Sequence, residues 1–245
     1  MLGHDSEFGL SLGGRVVSAL DVLKPFEIKE GRGFPDNMNA EIAINPVSSL
    51  KEWHHNTEAL LSYIRDQGFD LVMKPVIKYP NEALKHPDAY ISGCNPDFSA
   101  YTMNENVAPN FAKMDSTRSC GAHVHVSSDG LDPFNFTRWM DSYAALPLLI
   151  KEEVNDRRKM YGGAGCLRVK DYGAEYRTLS NVWINDEETR EFVWEAAHKA
   201  VEMSKKQQSY VVDDWPDIPT AIDTHDINLA RRIIDRMYIF GVSYE

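Results

Sequence analysis

Few cysteines, no long apolar run and no surplus of base set the first limits on this 245-residue chain. Cys94, Cys120 and Cys166 are odd in number and form no CxxC pair, so a disulfide framework is not expected and a reducing compartment is the default. The longest apolar stretch, Tyr143 to Ile150, is broken by Pro147 and is far short of the ~18 residues of a membrane span. The first residues carry acids where a secretory signal would carry base and then an apolar core, so the expected location is cytoplasmic. Lys and Arg number 26 against 37 Asp and Glu, a net charge of −11. Such a surface repels phosphate backbones and anionic lipid, which argues against a nucleic-acid or membrane partner. Repeats, low-complexity tracts and Gly/Ser linkers are also lacking, and no domain boundary is evident before about residue 208. The reading is therefore a domain over 1–208 and a C-terminal extension over 209–245 packed on it.

What is present mixes both kinds of local pattern. Leu2 to Leu12 alternates and closes at Gly13-Gly14, predicting a strand with a return arm from Arg15. Asn39 to Asn45 alternates up to Pro46. Ser48 or Ser49, with Glu52 in the first turn, predicts a helix that Gly68 ends. Strands are predicted over 69–77, 119–127 and 174–179. Helices are predicted from Asp132 to about 154, from Asp186 to about 208, and over about 225–237. Residues 80–118 read as a long, partly irregular connection. Strict alternation of strand and helix is missing, so the expected class is α+β with a mainly antiparallel sheet.

By the two-residue period of a strand, polar groups collect on single faces. Asp5 and Glu7 share one face while His4 and Phe8 take the other. Glu41 lies opposite Ala40 and Ile42. His123 and His125 lie opposite Val124 and Val126, and Glu175 shares a face with Arg177. Carboxylates at i and i+2 stand ~6–7 Å apart on a strand, suited to holding cations side by side. Hard oxygen ligands with an imidazole suit Mg²⁺ or Mn²⁺, and a pair of such ions can clamp a transferring phosphoryl group. Taken singly, each pair reads as readily as a solvated face or a structural hydrogen bond; their conjunction carries the argument. Arg157, Arg158, Lys159, Arg168, Lys170 and Arg177 gather around Gly162-Gly163-Ala164-Gly165 in an otherwise acidic chain. This concentration points to a phosphate or carboxylate pocket. The loop fits neither GxxxxGK[ST] nor GxGxxG.

These motifs resemble those of the carboxylate-amine ligases of the glutamine synthetase and glutamate-cysteine ligase superfamily. More closely, they resemble the phage-encoded amidoligases, COOH-NH2 ligase type 2. The matching stretches are Gly3-His-Asp5-Ser-Glu7-Phe8, Asp36 to Glu41 with Asn45-Pro46, Cys120-Gly-Ala-His123-Val-His125-Val-Ser127, Arg157 to Gly162, and Arg168 to Asn181. The resemblance implies a curved antiparallel sheet with helices on its outer face and ATP at one end of a funnel. It implies Asp5, Glu7, Glu41, His123 and Glu175 as metal ligands, with Asp36 a weaker candidate. His125, Arg157, Lys170 and Arg177 would meet the nucleotide. Arg158, Arg168 and Arg177 would stabilise the transferred phosphoryl group. Asp5 stands where the superfamily more often has Glu, which shortens the reach to that metal. The chain lacks room for the accessory domain of glutamine synthetases, so their ring assembly and ammonia site are not assumed, although an oligomer is allowed.

The function so implied is an ATP- and Mg²⁺-dependent ligase that joins a small-molecule or peptide carboxylate to an amine through an acyl phosphate, in the host cytoplasm if phage-encoded. The alternatives are a metal-dependent hydrolase using the His-x-His strand and a non-catalytic binding protein that keeps the fold. The ligase reading expects Asp5, Glu7, Glu41, His123 and Glu175 to converge in one cavity. It also expects Glu175→Ala or Arg177→Ala to abolish ADP formation with little loss of folding.

Overall fold

In a computed structural model, residues 1–91, 97–107, 115–206 and 216–239 are described, with backbone only for 238 and 239. Cys94 and the acidic Asp213-Asp214-Trp215 stretch lie outside them, as does the boundary near 208. The architecture is α+β. Among the described residues, one large open sheet runs in the order β3-β4-β5-β1-β10-β12-β11-β8, and every registered pair in it is antiparallel. Its strands are β1 (Leu2–Leu12), β3 (Phe26–Ile28), β4 (Gly31–Asp36), β5 (Asn39–Ile44), β8 (Phe98–Ser99), β10 (Ala122–Ser127), β11 (Cys166–Lys170) and β12 (Gly173–Tyr176). The far end of β1 also pairs with β2 (Arg15–Val17) and β6 (Asp70–Val72). A separate ladder joins β7 (Val76–Lys78) to β9 (Thr117–Ser119).

Helices cover one face of the sheet. After the four-residue α1 (Ala19–Val22), α2 (Leu50–Arg65) turns Trp53, Leu60, Leu61 and Ile64 inward. Ser49 caps it by accepting from the Glu52 amide at 3.3 Å. The helical stretch after the Asp132 cap is α3 (Pro133–Met140), a π-turn (Asp141–Ala145) and α4 (Leu146–Lys151). The short α5 (Arg157–Met160) precedes the glycine loop, and α6 (Glu187–Lys205) is capped by Asp186. Further on, α7 (Asp217–Asp223) and α8 (Ile227–Ile239) pack on α4. Ile218, Ile222 and Ile233 belong to the same buried cluster as the sheet residues Phe8, Ile42, Val124 and Tyr176. Burial of that cluster stabilises the fold at roughly 25 cal/mol per Å² of apolar surface removed from water.

Several elements differ from expectation for identifiable reasons. The strand predicted over 69–77 is two strands, β6 and β7, which pair with different partners on either side of Pro75. The strand predicted over 119–127 breaks at Cys120-Gly121, where the Gly121 amide turns to the Glu7 carboxylate at 2.9 Å. A side chain at Gly121 would bring its Cβ within 2.5 Å of His123 Nε2, so this close approach needs glycine. The helix predicted to about 154 ends at Lys151 and contains the π-turn just before Pro147, whose missing N–H could not bond back. The helix over 225–237 starts later, at Ile227. β3, β4, β11 and α7 were not expected.

Candidate functional site

The sheet has two unlike faces. Ala40, Ile42, Val124, Ala174 and Tyr176 face the helices and are buried. His4, on that side, sits between Trp53 and Trp183, with Nε2 2.7 Å from the Thr57 hydroxyl. Burial holds its pKa down at about 3, so it is a neutral core residue. The other face gathers the polar residues, because the register aligns them. Glu7 pairs with Glu41 across β1 and β5, Asp5 pairs with His123 across β1 and β10, and His125 pairs with Glu175 across β10 and β12. Glu175 then pairs with Arg168 on β11. Neighbouring strands stand about 4.8 Å apart, so one row of residues becomes one cleft.

Asp5, Glu7, Asp36, Glu41, His123, Arg168 and Arg177 line that cleft, with a volume of about 240 Å³. Asp5 Oδ1 lies 2.7 Å from His123 Nδ1, and Asp5 Oδ2 lies 2.8 Å from His125 Nε2. Burial opposes ionisation of Asp5, but the two imidazoles outweigh it and hold its carboxyl well below the usual range. Burial and then the Arg177 charge press His123 down to about 3. His123 is thus neutral, its Nδ1–H donates to ionised Asp5, and its buried Nε2 has no partner among the described residues. Glu175 is almost fully enclosed and is met by Lys170 Nζ at 2.7 Å, Arg168 Nη1 at 3.4 Å and the Arg177 guanidinium.

The opposite end of the cleft is acidic, and its carboxylates have no ion pair among the described residues. Burial and the Asp36 charge push Glu7 up to about 7. Burial, followed by Asp5, Glu7 and Asp36, raises Glu41 well above the usual range. Burial raises Asp36 as well, against the pull of Arg177. Ligand atoms of Glu7, Asp36 and Glu41 all lie within 4.8 Å of one another, and so do those of Asp5, His125 and Glu175. These two groups, together with the unpartnered Nε2 of neutral His123, fit a pair of hard divalent cations that take oxygen ligands and an imidazole.

Arg157 and Arg158 are not brought to this cleft. Arg157 is wholly buried and spends its guanidinium on backbone carbonyls of Cys120 (3.1 Å), Thr178 (2.7 Å) and Arg177 (3.2 Å). Gly162, in the left-handed region, lets the loop close over it. Arg157 therefore fastens its own turn to the segments just before β10 and just after β12. Arg158 turns away to Glu152 and His225. Of the six clustered bases, Arg168, Lys170 and Arg177 meet at Glu175. Lys159 pairs with Asp156 at the surface.

Some contributors left no periodic trace in the sequence. Tyr172, in the β11–β12 turn, reaches back to place its hydroxyl 2.7 Å from His125 Nδ1. Tyr161 stands beside Arg177, accepting from its Nε and donating to Asp97 Oδ2 at 2.7 Å. Asp36 is carried by β4, where Gly31, Gly33 and Pro35 hide the strand pattern. Pro35 is tolerated because β3 pairs only with Gly31–Gly33, so no outer strand needs its N–H.

No helix of the described residues is long and apolar enough to cross a membrane. A search of curated proteins finds no match. The family model Phage phiEco32-like COOH.NH2 ligase-type 2 matches residues 109–221. That stretch contains His123, His125, Arg168, Lys170, Glu175 and Arg177, while Asp5, Glu7, Asp36 and Glu41 precede it. Over residues 109–221, then, the resemblance read from the motifs is to a family of carboxylate-amine ligases, and that is the family this chain matches.

Proposed function

We propose that the chain is an ATP- and Mg²⁺-dependent ligase that forms an amide from a carboxylate and an amine through an acyl phosphate. The observation that carries this reading is the division of one cleft into an acidic end with no ion pair among the described residues and an end bearing Arg168, Lys170 and Arg177. A nucleotide triphosphate with divalent cations matches that division. Glu7, Asp36 and Glu41 would hold one ion; Asp5 and Glu175, with His123 or His125, would hold the other. Bound cations would neutralise phosphate oxygens as charge moves toward the leaving ADP.

The side chains account for the rest. A substrate carboxylate is a poor electrophile and must be activated. Its oxygen attacks the γ-phosphorus, the bond to the bridging oxygen breaks, and ADP leaves with that electron pair. Arg177 and Arg168, held in place by Glu175, face the phosphoryl oxygens and stabilise charge without reorganising. The amine lone pair then attacks the acyl carbon, the carbon–oxygen bond to phosphate breaks, and the nitrogen sheds a proton. This route requires no protein nucleophile.

The test is ADP release across a panel of carboxylates and amines with Mg²⁺. ADP that requires both substrates, with phosphate and amide formed in equal amounts, supports the reading. Water-only turnover with Zn²⁺ would favour a hydrolase, and failure to bind ATP with Mg²⁺ would favour a binding protein.

A further inference from the structure

Beyond the cleft lies a second cavity of about 360 Å³, lined in part by Asp97, Arg158, Tyr161, Gly163, Cys166 and Asp223. Tyr161 and Arg177 stand between the two spaces, Arg177 Nε lying 3.7 Å from Asp97 Oδ2. The Tyr161 hydroxyl bonds to Asp97 on the cavity side and to Arg177, a cleft residue, on the other. The Tyr161 ring centroid lies 6.4 Å from that of His123. The cavity is therefore one side chain away from the reacting centre.

Arg158 is its unusual member. Its side chain is only 3% exposed, and its pairing is loose: Nη2 lies 3.3 Å from Glu152 Oε2 and Nη1 lies 3.5 Å from His225 Nδ1. Its Nε–H has no acceptor among the described residues. A buried guanidinium with an idle donor is costly unless something accepts from it. The same cavity holds carboxylates. Asp97 is fixed by Tyr161, by Asn106 at 2.9 Å and by the Cys166 thiol at 3.2 Å. Asp223 uses Oδ1 on the Ala164 amide at 2.6 Å, and no partner of its Oδ2 occurs among the described residues. Gly163 permits that approach, since a Cβ there would sit 2.9 Å from Asp223 Oδ1. Both signs of charge thus share one space, each with spare hydrogen-bonding capacity. A simple anion would meet Asp97 and Asp223, and a simple cation would meet Arg158.

We propose that this cavity binds the amine substrate, and that this amine carries its own carboxylate, as an amino acid does. Arg158 takes the carboxylate, and Asp223, with Asp97 behind it, takes the ammonium group. Tyr161, with Arg177, is the boundary the amino group crosses to reach the cleft. The word substrate rests on the ligase reading; the binding itself does not.

The test separates the two. Binding of L-amino acids and of their decarboxylated counterparts is measured by saturation-transfer NMR on the full chain with Mg²⁺ and no ATP, with ADP release followed in parallel. The expected result is that at least one amino acid binds and its decarboxylated counterpart binds about tenfold or more weakly. Asp223→Asn should weaken the amino acid about fivefold or more. Arg158→Gln should erase the preference over the decarboxylated amine. If Arg158→Gln does not fold, Asp223→Asn and Gly163→Ala, which displaces the Asp223 carboxylate, decide the matter. The proposal is overturned if no amino acid binds, if the decarboxylated amine binds equally well, or if the cavity variants leave binding unchanged. Amino-acid binding without any ADP release would keep the cavity and sink the ligase reading.

Discussion

The two ends of the cleft treat charge in opposite ways. At the end built on β10–β12, each acid has its cation or imidazole: Glu175 is ringed by Arg168, Lys170 and Arg177, and Asp5, reaching in from the neighbouring β1, is held by His123 and His125. On β1, β4 and β5, Glu7, Asp36 and Glu41 crowd one another, and all three are raised above their ordinary range, with burial the first cause. The first end is neutralised from within; the second is stable only when protonated or when a cation is supplied. Substitutions at the two ends should therefore lower activity alike yet move stability in opposite directions.

The largest expected effect is at Glu175. Glu175→Ala removes the counter-ion shared by Arg168, Lys170 and buried Arg177 and leaves Arg177 with the longer contact to Asp97 Oδ2 at 3.7 Å, which costs up to about 3–5 kcal/mol of stability as well as activity. This replaces the expectation from sequence that folding would be spared; denaturant unfolding beside an ADP assay checks it. Glu41→Gln and Glu7→Gln should lower ADP formation roughly 10²–10³-fold. Yet they should raise the stability of the metal-free chain at pH 8 by on the order of 1–3 kcal/mol, because each removes a carboxylate whose ionisation is penalised. A loss of stability in both would break the contrast.

Metal should narrow the difference between the two ends. An acid whose folded pKa is raised binds more protons in the native state, so its cost appears as pH rises from its unfolded value through the folded one. For Glu7 that window runs from 4.5 to about 7. Mg²⁺ at about a hundred times its dissociation constant should stabilise the wild type by about 2.7 kcal/mol at pH 8, and by much less at pH 5. Thermal unfolding at both pH values reads this directly.

The smallest effect serves as a control away from the cleft. Asp141, in the π-turn, accepts from Tyr176 Oη and from the Gly165 amide, each at 2.6 Å, and burial raises it to about 7. Asp141→Asn should flatten the decline in stability between pH 4 and 7, with no change in the response to Mg²⁺. Urea titrations across that range are sufficient.

What could be read from sequence does not divide along the same line, since Glu7 and Glu41 of the acidic end show the strand period as plainly as the other end does. His123 and His125, Asp5 and Glu7, and Glu175 and Arg177 lie two apart on regular strands, so their faces were legible from the period alone. Arg157 and Arg158 were misplaced because adjacent bases on a short helix diverge, and a run of charge says nothing about direction. β4 stayed hidden because Gly31, Gly33 and Pro35 look like a loop, and Asp36 went with it into the weaker rank. Tyr161, Tyr172 and Asp97 reach their partners from turns and connections, where no periodicity reports orientation.

The most direct measurement is a Mn²⁺ titration at pH 8 in the presence of a non-hydrolysable ATP analogue, on the wild type and on Glu7→Gln with Glu41→Gln. Two carboxylate groups in one cleft predict two Mn²⁺ per wild-type chain and loss of one in the double variant. No Mn²⁺ bound, or an unchanged titration in the variant, would contradict the account.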